Sequence, residues 1–154
     1  MKKFILILMI FLLVGCSNTY EVNYGDLTLK LDKETASNVQ GDELILNGNN
    51  YYASIKIYGD YKYEALDKNT LKNIFSTEQY KNYEISEPIK KDFQNETYWI
   101  LNCSKDDLKG VFVYFQKDIN NYFEIVISND AFYHDYPSEK AINEVLTILK
   151  NAKK

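Results

Sequence analysis

The chain has 154 residues, 45% of them apolar and 26% charged, a composition that suits one globular domain and excludes a disordered or fibrous protein. All 18 basic residues are lysine, against 22 acidic ones, for a net charge of −4. A negative chain without an arginine fork is a poor partner for nucleic-acid phosphates or for an anionic lipid surface. A chain of this length buries enough surface to fold without a disulfide or a metal, and its 14 Tyr and 8 Phe point to a large share of strand.

Lys2 and Lys3 precede an apolar run from Phe4 to Val14, which ends in Leu13-Val14-Gly15-Cys16. The run is too short to span a bilayer as a permanent helix, which takes roughly 17–25 residues. It fits the apolar region of a secretory signal, roughly 7–15 residues long. Leu13-Val14-Gly15-Cys16 resembles the lipobox of bacterial lipoproteins. That resemblance implies cleavage before Cys16, a diacylglyceryl group on its sulfur, and residence on the extracytoplasmic face of the cell membrane. Two acyl chains suffice for stable attachment where one gives only marginal binding. Loss of Lys2 and Lys3 with the leader leaves 16 lysines against 22 acidic residues, a balance of −6. The expected organisation is a signal peptide over 1–15, a lipidated cysteine and polar tether over 16–26, and a single domain over 27–154. The tether from Ser17 to Gly25 reaches at most about 30 Å when extended. With Cys16 lipidated, Cys103 has no internal disulfide partner. In phase with Trp99 and Leu101, it reads as a small buried hydrophobe.

Leu27, Leu29 and Leu31 alternate with polar residues, as in a half-buried strand. Asp32 to Asp42 reads as a polar loop. Glu43 to Leu46 and Tyr51 to Tyr58 form strands joined by the turn residues Asn47-Gly48-Asn49-Asn50. Leu66, Leu71, Ile74 and Phe75 predict a helix from Leu66 to about Ser76, with Asp67 as N-cap. Tyr83, Ile85, Ile89 and Phe93 mark an extended segment that Pro88 bends or confines to an edge. Thr97 to Cys103, Gly110 to Gln116 and Tyr122 to Ser128 predict three strands, and connections this short demand antiparallel neighbours. Gly110 to Phe115 is apolar on both faces, which places it centrally. A last helix is predicted from Ser138 to Lys153, with Pro137 suited to its first turn and Lys150, Lys153 and Lys154 matching the dipole of its last.

The expected class is α+β: an antiparallel sheet of about six strands covered by two helices, in the order strands, helix, meander, helix. That order, over most of Leu27 to Lys153, resembles the Mog1/PsbP-like domains, several of which are small exported lipoproteins. Many members follow the first strand with a Pro and a Trp, where this chain has Asp32-Lys33-Glu34. The resemblance implies a sandwich and assigns no site residue.

Little in the chain points to catalysis. His134 is the single histidine, which excludes multi-histidine zinc sites, and it reads as a loop residue bonding its neighbour Asp135. No Gly-x-Ser-x-Gly elbow, phosphate-cradling glycine cluster or EF-hand spacing is present. The aromatic surface remains. Tyr51, Tyr52, Tyr58, Tyr61, Tyr63, Tyr80 and Tyr83 flank the first helix, and Tyr133 and Tyr136 precede the last. Tyrosine offers a rigid apolar body with a polar tip, suited to proteins or sugars. Tyr58, Tyr61, Tyr63, Tyr133 and Tyr136 are therefore the candidate contact residues, with Cys16 the lipidation site and no catalytic or metal-ligating residue. The expected function is a non-catalytic binding or assembly module for an envelope partner, without a cofactor. The alternative is a small-molecule or glycan receptor, and a hydrolase ranks third.

Overall fold

A computed structural model of the chain describes residues 18–58, 67–118 and 121–154. β1 (Thr19–Tyr24) and β2 (Leu27–Asp32) form an antiparallel hairpin. Then follow β3 (Ala36–Gln40), β4 (Glu43–Gly48), β5 (Tyr51–Tyr58), α1 (Lys68–Phe75) and a 3-10 turn at Glu78–Tyr80. The rest comprises β6 (Glu84–Ile85), β7 (Ile89–Phe93), β8 (Glu96–Lys105), β9 (Leu108–Asp118), β10 (Asn121–Ser128) and α2 (Glu139–Lys150).

The class is α+β. Strands β3 to β10 make one antiparallel eight-stranded sheet in the order β3-β4-β5-β10-β9-β8-β6, with β7 also on β8. That is larger than the expected six strands, because one stretch read as a loop is a strand and the segment around Pro88 supplies two, while the expected strand at Leu27 lies outside it in the separate β1–β2 sheet. Thr19–Tyr24, expected as tether, pairs along its whole length with β2, so only Ser17 and Asn18 separate Cys16 from the first strand. Ala36–Gln40, expected within a loop, pairs with β4. As expected, Pro88 falls between the short strands β6 and β7, and β9 runs centrally between β8 and β10.

Alternation along the strands divides the core in two. One face presents Leu46, Ile55, Val113, Phe115, Phe123 and Ile125, and α2 covers it with Ile142, Val145, Leu146 and Leu149. The hairpin adds Leu27, Leu29 and Leu31, each at most 1% exposed. Burying a Leu or Ile side chain contributes about 1.5–3 kcal/mol, so this face is the larger stabilising element. The opposite face presents Leu101, Phe112 and Tyr114 to Leu71 of α1, with Ile74, Phe75 and Tyr80 packed around them.

Both helices are capped as their sequences dictate. Asp67 Oδ1 accepts the Thr70 N–H at 2.7 Å, and Ser138 Oγ accepts that of Ala141 at 3.2 Å. Ser138 is thus the N-cap of α2 and Pro137 lies before it, not in the first turn. Lys153 also falls outside the helix: its backbone bridges Thr28, at 2.7 and 2.9 Å, and ties the C-terminus to the hairpin. The end of α2 is held by Lys117, whose Nζ donates to the carbonyls of Leu149 (3.2 Å), Lys150 (3.1 Å) and Ala152. A cation there answers the free carbonyls and the negative end of the dipole.

Candidate functional site

α1 and the 3-10 turn cover the β8–β9 part of their face, and beside them the sheet carries a groove of about 370 Å³. Ser54, Val126, Phe112 and Cys103 come from β5, β10, β9 and β8 and cross its floor. Tyr80 and Tyr83 stand on the side of the 3-10 turn, and Tyr133 enters from the loop before α2. A volume of this size falls within the roughly 300–1,000 Å³ of small-molecule sites.

Strand register sets the polar groups. Lys56 lies opposite Glu43 on β4 and opposite Glu124 on β10, so the three side chains share one sheet face. Glu43 accepts a hydrogen bond from Ser54 Oγ. Glu124 accepts one from the Tyr114 hydroxyl at 3.0 Å. Burial pushes the Glu124 carboxyl above the usual carboxylate range, against the pull of that hydroxyl and of Lys56. Burial and the Glu124 charge together push the Tyr114 phenol far up. At the β8–β9 end, Lys105 Nζ lies over the Tyr83 ring, 5.2 Å from its centroid.

The loop holding Tyr133 is built on Asp130. Its Oδ1 accepts the backbone N–H groups of Phe132 (2.8 Å) and His134 (3.4 Å), and its carbonyl accepts that of Tyr133 (3.2 Å). Despite the opposing desolvation, these donors and the His134 imidazole hold the Asp130 carboxyl below its ordinary value. Tyr133 is left-handed at φ +60°, an arrangement that costs a non-glycine residue about 1–2 kcal/mol. The turn aims its ring at the sheet, edge-on to Tyr52 at 5.7 Å and against Gly110, where a Cβ would lie 3.5 Å from the Tyr133 ring. Burial and the neighbouring Tyr52 push its phenol up to about 12.

Of the expected contact residues, the structure brings Tyr133 to the groove. Tyr136 is 41% exposed in the same loop and does not line it. Tyr58 ends β5 and its side chain lies outside the described residues, as do Tyr61, Tyr63 and Cys16. Tyr80 and Tyr83, with ring centroids 6.1 Å apart, also line the groove, though neither was among the candidate contact residues. Their position just after the first helix was the available signal. Lys56, Lys105 and Glu124 carried none, because an isolated charge on a strand reads as a solvated face.

His134 pairs with Asp130, at 3.5 Å from Nδ1 to Oδ2, rather than with Asp135, and stacks on Phe132. It does not line the groove. The Cys103 thiol is buried in the floor, where desolvation pushes it up to about 11, the opposite of what a nucleophile needs. Among the described residues no group of three His, Cys, Asp or Glu side chains is placed to hold a metal ion, and no helix is long and apolar enough to cross a membrane.

The arrangement defines an α+β sandwich with a polar, tyrosine-walled groove on one sheet face. No family model and no curated protein matches the chain. Among solved structures, the chain is similar to cyanobacterial PsbP (CyanoP) from Synechocystis sp. PCC 6803 in its solution structure, with a TM-score of 0.49 and 9% identity over 91% of this chain and 94% of that one.

Proposed function

We propose that the protein is a lipid-anchored, extracytoplasmic binding module without catalytic activity, and that it engages a component of the cell envelope through the groove between β5, β10, β9 and the 3-10 turn. One observation carries this reading: Tyr133 is kept in a strained left-handed turn whose result is to wall a groove that already holds Lys56, Glu43 and Glu124. Backbone strain persists where the surrounding structure over-determines it, and it clusters at ligand sites. The anchor rests on Leu13-Val14-Gly15-Cys16. With two residues between Cys16 and β1, the start of the hairpin stays within about 11 Å of the Cys16 backbone.

The test is photo-crosslinking on intact cells. A photoreactive residue at position 83 should give a discrete adduct, and the same residue at position 30, exposed on the hairpin, should not. Equal, diffuse labelling from both positions would refute the reading. A small-molecule receptor is the second reading, favoured by the groove's volume; it predicts that the adduct at position 83 has the mass of a small ligand.

A further inference from the structure

We infer that the groove recognises an acidic saccharide unit, a sugar ring bearing a carboxylate or phosphate; this rests on the groove being the module's binding site. Three features converge on that chemistry. The walls are tyrosines from opposite sides, Tyr83 and Tyr133, and rigid aromatic faces with polar tips suit the mixed apolar and hydroxyl surface of a sugar. The floor offers acceptors in the carboxylates of Glu43 and Glu124, with the Ser54 hydroxyl beside them. Hydroxyl donors of a ligand would satisfy these groups without any charge on the ring itself.

The third feature is a local reversal of charge. The mature chain has six more acidic than basic residues, yet the groove is lined by three lysines, Lys56, Lys105 and Lys109, against two glutamates. Among the described residues none of these lysines lies within ion-pair distance of a carboxylate, whereas Lys68, Lys72, Lys81, Lys91 and Lys150 elsewhere do. Lys105 is held over Tyr83 at the end of the groove away from Glu124, so acid recognition and hydroxyl recognition fall at opposite ends. A ligand with an acid at one end of a hydroxylated ring matches that polarity. A purely apolar peptide leaves the charged groups of both ends unanswered.

Binding is read by thermophoresis on the full-length lipidated protein in detergent, with trigalacturonic acid, maltotriose, inorganic phosphate and triglutamate as probes. Trigalacturonic acid should bind, and the other three should bind roughly ten-fold more weakly or not at all. Lys105→Met should weaken the trigalacturonic acid complex roughly ten-fold, the usual order for one charged hydrogen bond, and Lys30→Met should leave it unchanged. Tyr83→Leu gives a second variant, at a residue 37% exposed, and should weaken binding of the same probe. Equal affinity for phosphate would make this a general anion site, equal affinity for triglutamate a peptide groove, and indifference to Lys105→Met would remove the site from the groove; each overturns the inference. If trigalacturonic acid fails while position 83 still gives a discrete crosslink, the binding module stands and the saccharide falls. If both fail, both fall.

Discussion

Gly110 lies against both the Ile127 carbonyl and the Tyr133 ring, and its replacement by alanine tests how tightly the sheet packs beside the groove. A Cβ there would lie 3.1 Å from the Ile127 carbonyl oxygen and 3.5 Å from the Tyr133 ring. The second distance is ordinary contact, but the first is too short. β10, which carries Ile127, is paired on both sides, with β5 and β9, so its backbone has little room to retreat. Overpacking of this kind costs about 1–3 kcal/mol. Restricting the unfolded chain returns about 0.4–1 kcal/mol, because the Gly110 backbone is compatible with alanine. Gly110→Ala should therefore destabilise the domain by about 1 kcal/mol. For a domain this size that lowers the urea midpoint by roughly 0.5 M. Because the carbonyl and not the ring sets the cost, the same loss should appear in a Tyr133→Ala background, additive to within about 0.5 kcal/mol. A neutral or stabilising Gly110→Ala would show that β10 yields. A penalty that vanishes without the Tyr133 ring would show that the ring is the obstacle.

Lys117→Met keeps the stem of the side chain but removes the ammonium donor from the carbonyls of Lys150 and Ala152 and leaves that of Leu149 with backbone donors alone; urea unfolding should show a loss of about 2 kcal/mol, and a change under about 0.5 kcal/mol would deny Lys117 its capping role. Glu124→Gln should stabilise the protein at pH 7.5 and leave it unchanged near pH 4. The folded state raises the pKa of this carboxyl, so its ionisation costs stability that appears as pH rises through the carboxylate range; a less stable variant at pH 7.5 would mean that Tyr114 and Lys56 outweigh burial. In a Cys16→Ser variant Cys103 is the remaining thiol, and at pH 8 a disulfide reagent should titrate it roughly a hundred-fold more slowly in the native protein than in urea. Comparable rates would place it in solvent.

The meander β8–β9–β10 was legible in the sequence because its apolar runs are separated by short polar turns that force antiparallel pairing. The β4–β5 turn and the Asp67 cap were legible for equally local reasons, and both stand in the structure. β3 was not: Ala36-Ser37-Asn38-Val39-Gln40 lies at the sheet edge, Val39 is 47% exposed, and such a strand buries too little to need an apolar pattern. β1 did carry a period of two in Tyr20, Val22 and Tyr24, but its place soon after the apolar run that ends at Val14 disguised it as tether. The hydroxyls of Tyr20 and Tyr24 reach the carbonyls of Thr35 and Ile55, at 2.5 and 2.9 Å, long-range bonds that no local pattern announces. The groove was illegible for the same reason. Lys56, Lys105 and Glu124 come from three strands and meet only through register, and Tyr133 alone of its lining was singled out by type and position.

Hydrogen exchange on the full-length protein in detergent, with and without a solubilised envelope fraction, puts the groove to the most direct test. Protection confined to the groove segments, residues 43–56, 78–83, 103–112, 124–126 and 131–134, is the predicted footprint. Protection on α2 and the β1–β2 hairpin instead, or none at all, would contradict it.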